Sequence, residues 1–234
     1  MASSSRIAVA LLGGGAGTRY GGGIPKPLAR ANGVPLLVYS LNVFESIQNV
    51  CAIRIAFPGR FEGELKKALE GGRYPRLKGT APAGATRAES ALSALRALEC
   101  EAPDAVLVHD AARPLVTAAE VNNLLDELPR WHGVISAVPA VDTLWAVSGT
   151  QLLEDADRTT LVHAQTPQAF HYGVLRDALE KGIGEGFEGT DDASYVLRNG
   201  GRIGWVKGSR WNIKVTYPED LAVVESVLRG RACG

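Results

Sequence analysis

The chain has 234 residues, 46% of them hydrophobic, and 25 basic side chains balance 25 acidic ones to a formal net charge of zero. That length suits one soluble α/β domain, or one domain with an excursion, and is enough for a full core. The neutral balance argues against broad, charge-driven contact with nucleic acid or an anionic membrane, while leaving room for a local cationic pocket. The three cysteines, Cys51, Cys100 and Cys233, are odd in number and widely spaced. They point to neither a disulfide framework nor a zinc site and suit a reducing compartment. No apolar run approaches the ~20 residues of a membrane helix. Met1 to Ser5 is too short and polar for a signal peptide, so a cytoplasmic protein is expected, or a plastid stroma one if a transit peptide has been removed.

Ile7 to Leu12 is a short apolar run ending in glycines, the pattern of a buried strand feeding a loop. Helical spacing runs from Pro35 to Phe44, a β-rich run from Val50 to Phe57 closes on Pro58-Gly59, and Phe61 to Leu69 reads as a helix. Thr86 to Leu98 is a stronger helix, with Ala91, Leu92, Leu95 and Leu98 on one side. Ala105 to His109 is the next buried strand. Thr117 caps the following helix, and Glu120 completes a capping box. Val134 to Val138 is a strand, and His171 to Leu179 and Asp191 to Leu197 are helices. Ile203 to Val206 and Ile213 to Val215 are short strands, and Pro218 to Leu228 closes the chain as a helix with proline near its first turn.

Strands alternating with helices imply a doubly wound, mainly parallel, Rossmann-like α/β sheet, whose ligands bind beyond the carboxyl ends of the strands. The glycine loop, Asp110 and Pro139 to Thr143 all follow strands and are expected to gather on one edge. Val141 to Thr160 fits the alternation poorly and reads as an extended β-arm.

The loop Gly13-Gly14-Gly15-Ala16-Gly17-Thr18-Arg19 invites a dinucleotide-binding reading, but neither Thr18 nor Tyr20 is the glycine that a G-x-G-x-x-G count requires. It is not a Walker A sequence either, since Lys26 follows Pro25. Glycines alone describe a flexible strand-to-helix turn as well as a phosphate cradle. Arg19 and Lys26 favour the cradle. Glycines let backbone N–H groups approach phosphate oxygens, Arg19 can fork onto them, and Lys26 supplies a point charge behind the stiff Pro25.

The later blocks narrow this further. Val108-His109-Asp110-Ala111-Ala112-Arg113-Pro114, Pro139 with Asp142-Thr143, Thr166-Pro167-Gln168-Ala169-Phe170, Thr190-Asp191-Asp192-Ala193-Ser194, Asn212-Ile213-Lys214-Val215-Thr216 and Pro218-Glu219-Asp220-Leu221 stand in that order. With the glycine loop and Pro25-Lys26, the chain resembles the 2-C-methyl-D-erythritol 4-phosphate cytidylyltransferases of the non-mevalonate isoprenoid pathway, from about residue 7 to residue 228.

The resemblance implies one nucleotidyltransferase domain over 1–234, with a dimerisation arm at about 141–160 that crosses to the neighbour in a homodimer. It implies transfer of CMP from CTP to methylerythritol phosphate, with Mg2+ held by Asp110. Gly13, Gly14, Gly15, Ala16 and Gly17 would cradle the triphosphate, Arg19 and Lys26 stabilise the transition state, and Gly84, Arg87 and Ser90 read cytosine and ribose beside Asp110 and Ala111. Thr143, Arg158, Thr166 and Lys214 would hold the second substrate's phosphate, Thr143 and Arg158 in the partner's site, with Arg158 and Lys214 also catalytic.

Taken alone, each has a plainer reading. Arg158 follows Asp155 and Asp157 as a surface ion pair would, Lys214 could face solvent, Asp110 could cap a turn, and Arg113 reads as a tie between loops. Many members of the family have alanine at Gly13 and Gly14, glutamine at Pro27 and an acidic residue at Ala85. These departures leave one base or ribose contact open, and leave ribitol 5-phosphate or another polyol phosphate as an alternative acceptor. A catalytically silent nucleotide binder is the alternative outside enzymes. The length leaves no residues for a fused cyclase of the same pathway.

Overall fold

The computed structural model describes residues 5–14 and 23–232. In chain order the elements are β1 (Ile7–Leu12), β2 (Arg30–Ala31), β3 (Val34–Pro35), α1 (Leu36–Ser46), β4 (Val50–Phe57), α2 (Glu62–Leu69), β5 (Leu77–Pro82), α3 (Arg87–Leu98), β6 (Ala105–Asp110), α4 (Ala118–Glu127) and β7 (Gly133–Pro139). They continue with β8 (Leu144–Ser148), β9 (Gln151–Ala156), β10 (Val162–His171), α5 (Tyr172–Gly184), α6 (Asp192–Arg198), β11 (Ile203–Lys207) and α7 (Asp220–Ala232).

Seven strands form one sheet in the order β11-β7-β10-β6-β1-β4-β5. All neighbours pair parallel except β10, which runs antiparallel to both β6 and β7. The expected mainly parallel sheet is present. From β1 the chain winds outward through β4 to β5 and then returns to β1's other side as β6. This reversal puts a crevice at the carboxyl end of β1, where the glycines stand.

The alternation of β1 explains the double winding. Ile7, Val9 and Leu11 enter an apolar layer with Leu37, Leu41 and Phe44 of α1 and Val121 and Leu124 of α4. Ala8, Ala10 and Leu12 enter a second layer with Ala91, Ala94 and Leu95 of α3 and residues of α5 and α6. Small side chains on both β1 and α3 allow that helix to lie close to the sheet. Full burial of each large aliphatic side chain contributes roughly 1.5–3 kcal/mol.

The Thr117–Glu120 capping box is present, with Glu120 N–H donating to Thr117 Oγ1 at 3.3 Å and Thr117 N–H to Glu120 Oε2 at 2.9 Å. A second box, Thr86 with Glu89, starts α3. Besides the short pair β2 and β3, two strands of the main sheet were not apparent from sequence pattern. β5 contains Gly79 and Pro82, which weaken a β signal, and lies at the sheet's edge. β10 contains Pro167, which has no N–H to give a ladder, and the register with β7 shifts between Ala164 and Gln168 around it. The expected strand at Ile213–Val215 is absent. That stretch is irregular, its Val215 N–H spent on the Ala112 carbonyl at 2.9 Å and its Asn212 carbonyl on Arg113 at 2.8 Å.

The expected arm is a two-stranded hairpin, β8 against β9, separate from the main sheet. Gly149, at φ +57°, makes its tight turn. No helix among the described residues is long and apolar enough to cross a membrane.

Candidate active site

Loops after four adjacent strands converge on one cavity of about 490 Å3. Gly13 and Gly14 come from the end of β1, Pro58 and Arg60 from the end of β4, and Ala83 to Arg87 from the turn between β5 and α3. Asp110 and Ala112 come from the end of β6, with Lys26, Pro27 and Lys214 completing the lining. Among these described residues are four cations, Lys26, Arg60, Arg87 and Lys214, against one carboxylate, Asp110. Such an excess favours a polyanion.

Asp110 is the joint of the site. Arg87 Nε donates to its Oδ1 at 3.1 Å, and Lys214 Nζ donates to its Oδ2 at 2.8 Å. Burial alone would raise its pKa, but Arg87 and Lys214 outweigh burial and hold the carboxyl well below the usual range. Arg87 is shared with a second carboxylate: its Nη1 donates to Asp192 Oδ2 at 2.6 Å. Burial opposes the Arg87 charge, but the two aspartates more than offset it and raise its pKa. Asp192 is fully buried, and burial pushes its carboxyl up against the pull of Arg87.

Behind Asp110 lies a neutral network. The Asp110 N–H donates to Thr166 Oγ1 at 3.0 Å, and that oxygen lies 3.1 Å from His109 Nδ1. His109 Nε2 lies 3.1 Å from the Arg113 carbonyl, which can only accept. Nε2 therefore carries the proton, and Nδ1 accepts from the Thr166 hydroxyl. Burial lowers the His109 pKa to about 4, so the ring is neutral at physiological pH. Its edge-on contact with Phe44, at 5.2 Å, completes its packing.

The glycines are enforced by neighbours. A Cβ at Gly13 would stand 2.7 Å from the Phe57 ring, and one at Gly14 2.5 Å from Ala83 Cβ. The departure from alanine at these positions thus goes with this chain's Phe57 and Ala83. Pro27 also has a local reason: Lys26–Leu28 is a single 3-10 turn, and proline at its second position gives up no needed hydrogen bond.

The structure brings together Gly13, Gly14, Lys26, Gly84, Arg87, Ser90, Asp110 and Lys214. Gly15, Ala16, Gly17 and Arg19 lie outside the described residues. Ala111 is buried beneath the site, donating its N–H to the Leu12 carbonyl at 2.9 Å. One expected assignment is corrected by position. Thr166 is buried, its hydroxyl committed to Asp110 and His109, so here it positions Asp110 rather than meeting a phosphate. Thr143 and Arg158 are at the exposed base of the hairpin and do not line the cavity of their own chain. Arg158 donates to the Val141 carbonyl at 2.8 Å instead of pairing with Asp155 or Asp157. Arg60, one residue past Pro58-Gly59, had drawn no attention in the sequence, where it resembles any surface arginine.

A family model described as 2-C-methyl-D-erythritol 4-phosphate cytidylyltransferase matches residues 7–230. A protein of that description from Thermobifida fusca is 39% identical, the alignment covering 96% of this chain and 94% of the relative. One from Acidobacterium capsulatum is 35% identical, over 97% of this chain and 99% of the relative. The crystal structure of the Francisella tularensis 2-C-methyl-D-erythritol 4-phosphate cytidylyltransferase is 26% identical and superimposes with a TM-score of 0.81, covering 95% of this chain and 99% of that one. With its cationic cavity at the sheet's switch point and a match along nearly its whole length, the chain belongs to the 2-C-methyl-D-erythritol 4-phosphate cytidylyltransferase family.

Proposed function

We propose that this chain transfers CMP from CTP to 2-C-methyl-D-erythritol 4-phosphate, giving 4-diphosphocytidyl-2-C-methyl-D-erythritol and pyrophosphate. The observation that carries the reading is the joint of Arg87, Asp110 and Lys214 in a net-cationic cavity at the carboxyl end of β1. A phosphate oxygen of the acceptor attacks the α-phosphorus of CTP, the bond to the bridging β-oxygen breaks, and pyrophosphate leaves. The attacking phosphate is already ionised near neutral pH, so no protein base or nucleophile is needed. Catalysis then consists of holding two anions together and neutralising the charge that grows on the α-phosphate. Lys26 and Lys214 line the cavity for that task, and Arg19 joins them on the family resemblance.

Mg2+ fits this donor set. No group of three or more His, Cys, Asp or Glu gathers for a metal among the described residues. Mg2+ does not ask for one, since it keeps waters and is held by one or two carboxylates plus substrate phosphates. Asp110, held ionised by its cationic neighbours, would hold it beside the triphosphate. When bound, the ion neutralises phosphate charge. Chelation should abolish turnover, and full activity in excess EDTA would contradict this.

The arm supports a homodimer. Trp145, Val147, Leu152 and Leu153 are about half exposed or more on a hairpin that pairs only with itself. An isolated two-stranded hairpin is marginal in water. Packing it on a second copy would cover those side chains and carry Thr143 and Arg158 towards the neighbour's cavity. Sedimentation should give twice the monomer mass, and a monomer at micromolar concentration would contradict it. A dimer of neutral charge with no membrane-spanning helix among its described residues suits a bacterial cytoplasm or a plastid stroma.

The test is pyrophosphate release from CTP against a panel of polyol phosphates. Release should require methylerythritol phosphate and Mg2+ together. Equal or faster turnover with ribitol 5-phosphate would reassign the acceptor, and no turnover with any polyol phosphate would favour a silent nucleotide binder.

A further inference from the structure

The segment that carries Lys214 has no ladder to hold it: residues 208–216, between β11 and α7, form neither helix nor strand. Asn212, two residues before Lys214, is fully buried. Its Nδ2 donates to the Thr166 carbonyl at 2.9 Å. That carbonyl can only accept, which fixes the amide with its nitrogen towards Thr166. The Asn212 backbone is held as well, its carbonyl accepting from Arg113 Nη1 at 2.8 Å and its N–H donating to the Ser209 carbonyl at 3.0 Å. Thr166 has a carbonyl to offer because the register of β10 with β7 shifts between Ala164 and Gln168.

Thr166 is thereby a common anchor. Its Oγ1 accepts from the Asp110 N–H at 3.0 Å, and its carbonyl accepts from Asn212. Both members of the Lys214–Asp110 pair are thus referred to one residue of β10. On the other side of Lys214, the Val215 N–H donates to the Ala112 carbonyl at 2.9 Å. The lysine is held at both shoulders while its side chain lines the cavity.

Stability does not account for an amide at this place. Asn212 Oδ1 is buried with no hydrogen-bond partner among the described residues. An amide buried with one end unpaired costs stability, whereas an apolar side chain of similar size would be nearly neutral. What the amide supplies is direction, one donor on one carbonyl, and so one path for the backbone into Lys214. Precision matters there, because a misplacement of about 1 Å can cost on the order of a hundredfold in rate.

We infer that Asn212 is a positioning residue for the transfer reaction: through the Thr166 carbonyl it sets Lys214 in register with Asp110, so that the ammonium meets the acceptor's phosphate already in place. Asn212 is closed off from the cavity and acts through Lys214 alone. This assignment rests on the cytidylyltransferase reading and deepens its acceptor side.

The experiment is a double-mutant cycle of Asn212→Ala and Lys214→Ala. It is read as kcat/KM for methylerythritol phosphate with Mg2+, beside CTP affinity by calorimetry and a thermal melt of each protein. Asn212→Ala should lose roughly tenfold or more in kcat/KM for the acceptor, with CTP affinity within about twofold of wild type. In the Lys214→Ala background the same change should cost nothing further, because the residue it places is gone. Asn212→Ser, which loses the amide donor, is the second single variant and should follow alanine. An equal loss in both backgrounds overturns the proposal, and so does an equal loss of acceptor turnover and CTP affinity. Loss of a cooperative melt in both single variants overturns it too, making Asn212 a structural residue. Crystal structures of the wild type and Asn212→Ala read the same claim without the reaction: the Lys214–Asp110 contact should be lost in the variant, and its survival overturns the proposal. A wild-type chain that turns over no polyol phosphate would sink the reaction and leave that structural comparison standing.

Discussion

Lys214 Nζ donates to Asp110 Oδ2 at 2.8 Å, although the two residues are 104 positions apart. The backbone arranges the meeting: Val215 N–H bonds to the Ala112 carbonyl at 2.9 Å, tying the irregular 212–216 stretch to the turn after β6. A lysine held by a carboxylate at the cavity edge is already placed for an incoming phosphate, with little reorganisation left to make.

Replacing Lys214 with alanine should therefore cost roughly 3 kcal/mol of transition-state stabilisation, or about a hundredfold in turnover. Its side chain is 41% exposed, so the fold should persist. Steady-state pyrophosphate release beside a thermal melt checks both halves. A rate within threefold of wild type, with an unchanged melt, would remove Lys214 from the mechanism.

Asp192 contributes chiefly to the fold. Its side chain is fully buried and holds Arg87 at 2.6 Å, and Arg87 in turn holds Asp110. Asp192→Ala leaves a largely buried guanidinium with one partner fewer and should lower stability by about 3 kcal/mol. Urea unfolding measures it; a loss below about 1 kcal/mol would show that Arg87 finds compensation elsewhere.

The buried His109 sets an acid limit on stability. Its folded pKa, about 4, lies below its ordinary 6.5. Between those values the unfolded chain binds a proton that the folded chain refuses, so stability falls as pH drops through the window, by about 1.4 kcal/mol per unit at most. Below pH 4 the penalty is fully incurred and this contribution levels off. Unfolding free energies of wild type and His109→Asn between pH 7 and 4 should converge as pH falls. Parallel curves would show that His109 does not titrate in this window.

The glycine cradle should tolerate a swap but not a single change. Gly14→Ala puts a Cβ 2.5 Å from Ala83 Cβ, a contact that backbone must move to relieve, so CTP binding should weaken. Adding Ala83→Gly removes the obstacle and should recover most of the loss. A double-mutant cycle on CTP affinity measures the coupling, and additive effects would mean that the two positions act independently.

Much of the fold was legible because β1, β4 and β6 are apolar runs ended by glycine, proline or aspartate, and because Thr117 and Glu120 state a helix start in four residues. Local pattern failed where tertiary pairing overrides it. Leu77–Pro82 is a strand despite Gly79 and Pro82 because β4 offers it a parallel partner, and Val162–His171 is one despite Pro167 because it has a neighbour on each side. Ile213–Val215 carries β-branched residues yet gives its backbone to single tethers. At the site, the glycines, Lys26, Asp110 and Lys214 stood out as motif residues. Arg87's tie to Asp192 spans 105 positions and leaves no periodic trace, and Arg60 gains its meaning only from the wall it shares. Thr143 and Arg158 are exposed and do not line the cavity of their own chain, so the roles proposed for them would need a second copy of the chain.

The most direct test of the central claim is the phosphorus NMR spectrum of CTP, methylerythritol phosphate and Mg2+ incubated with the protein. The account predicts loss of the acceptor's monoester signal and growth of a coupled pair from one new asymmetric diphosphate, with pyrophosphate in equal amount. Conversion of CTP to CDP or CMP with the monoester signal intact would contradict it.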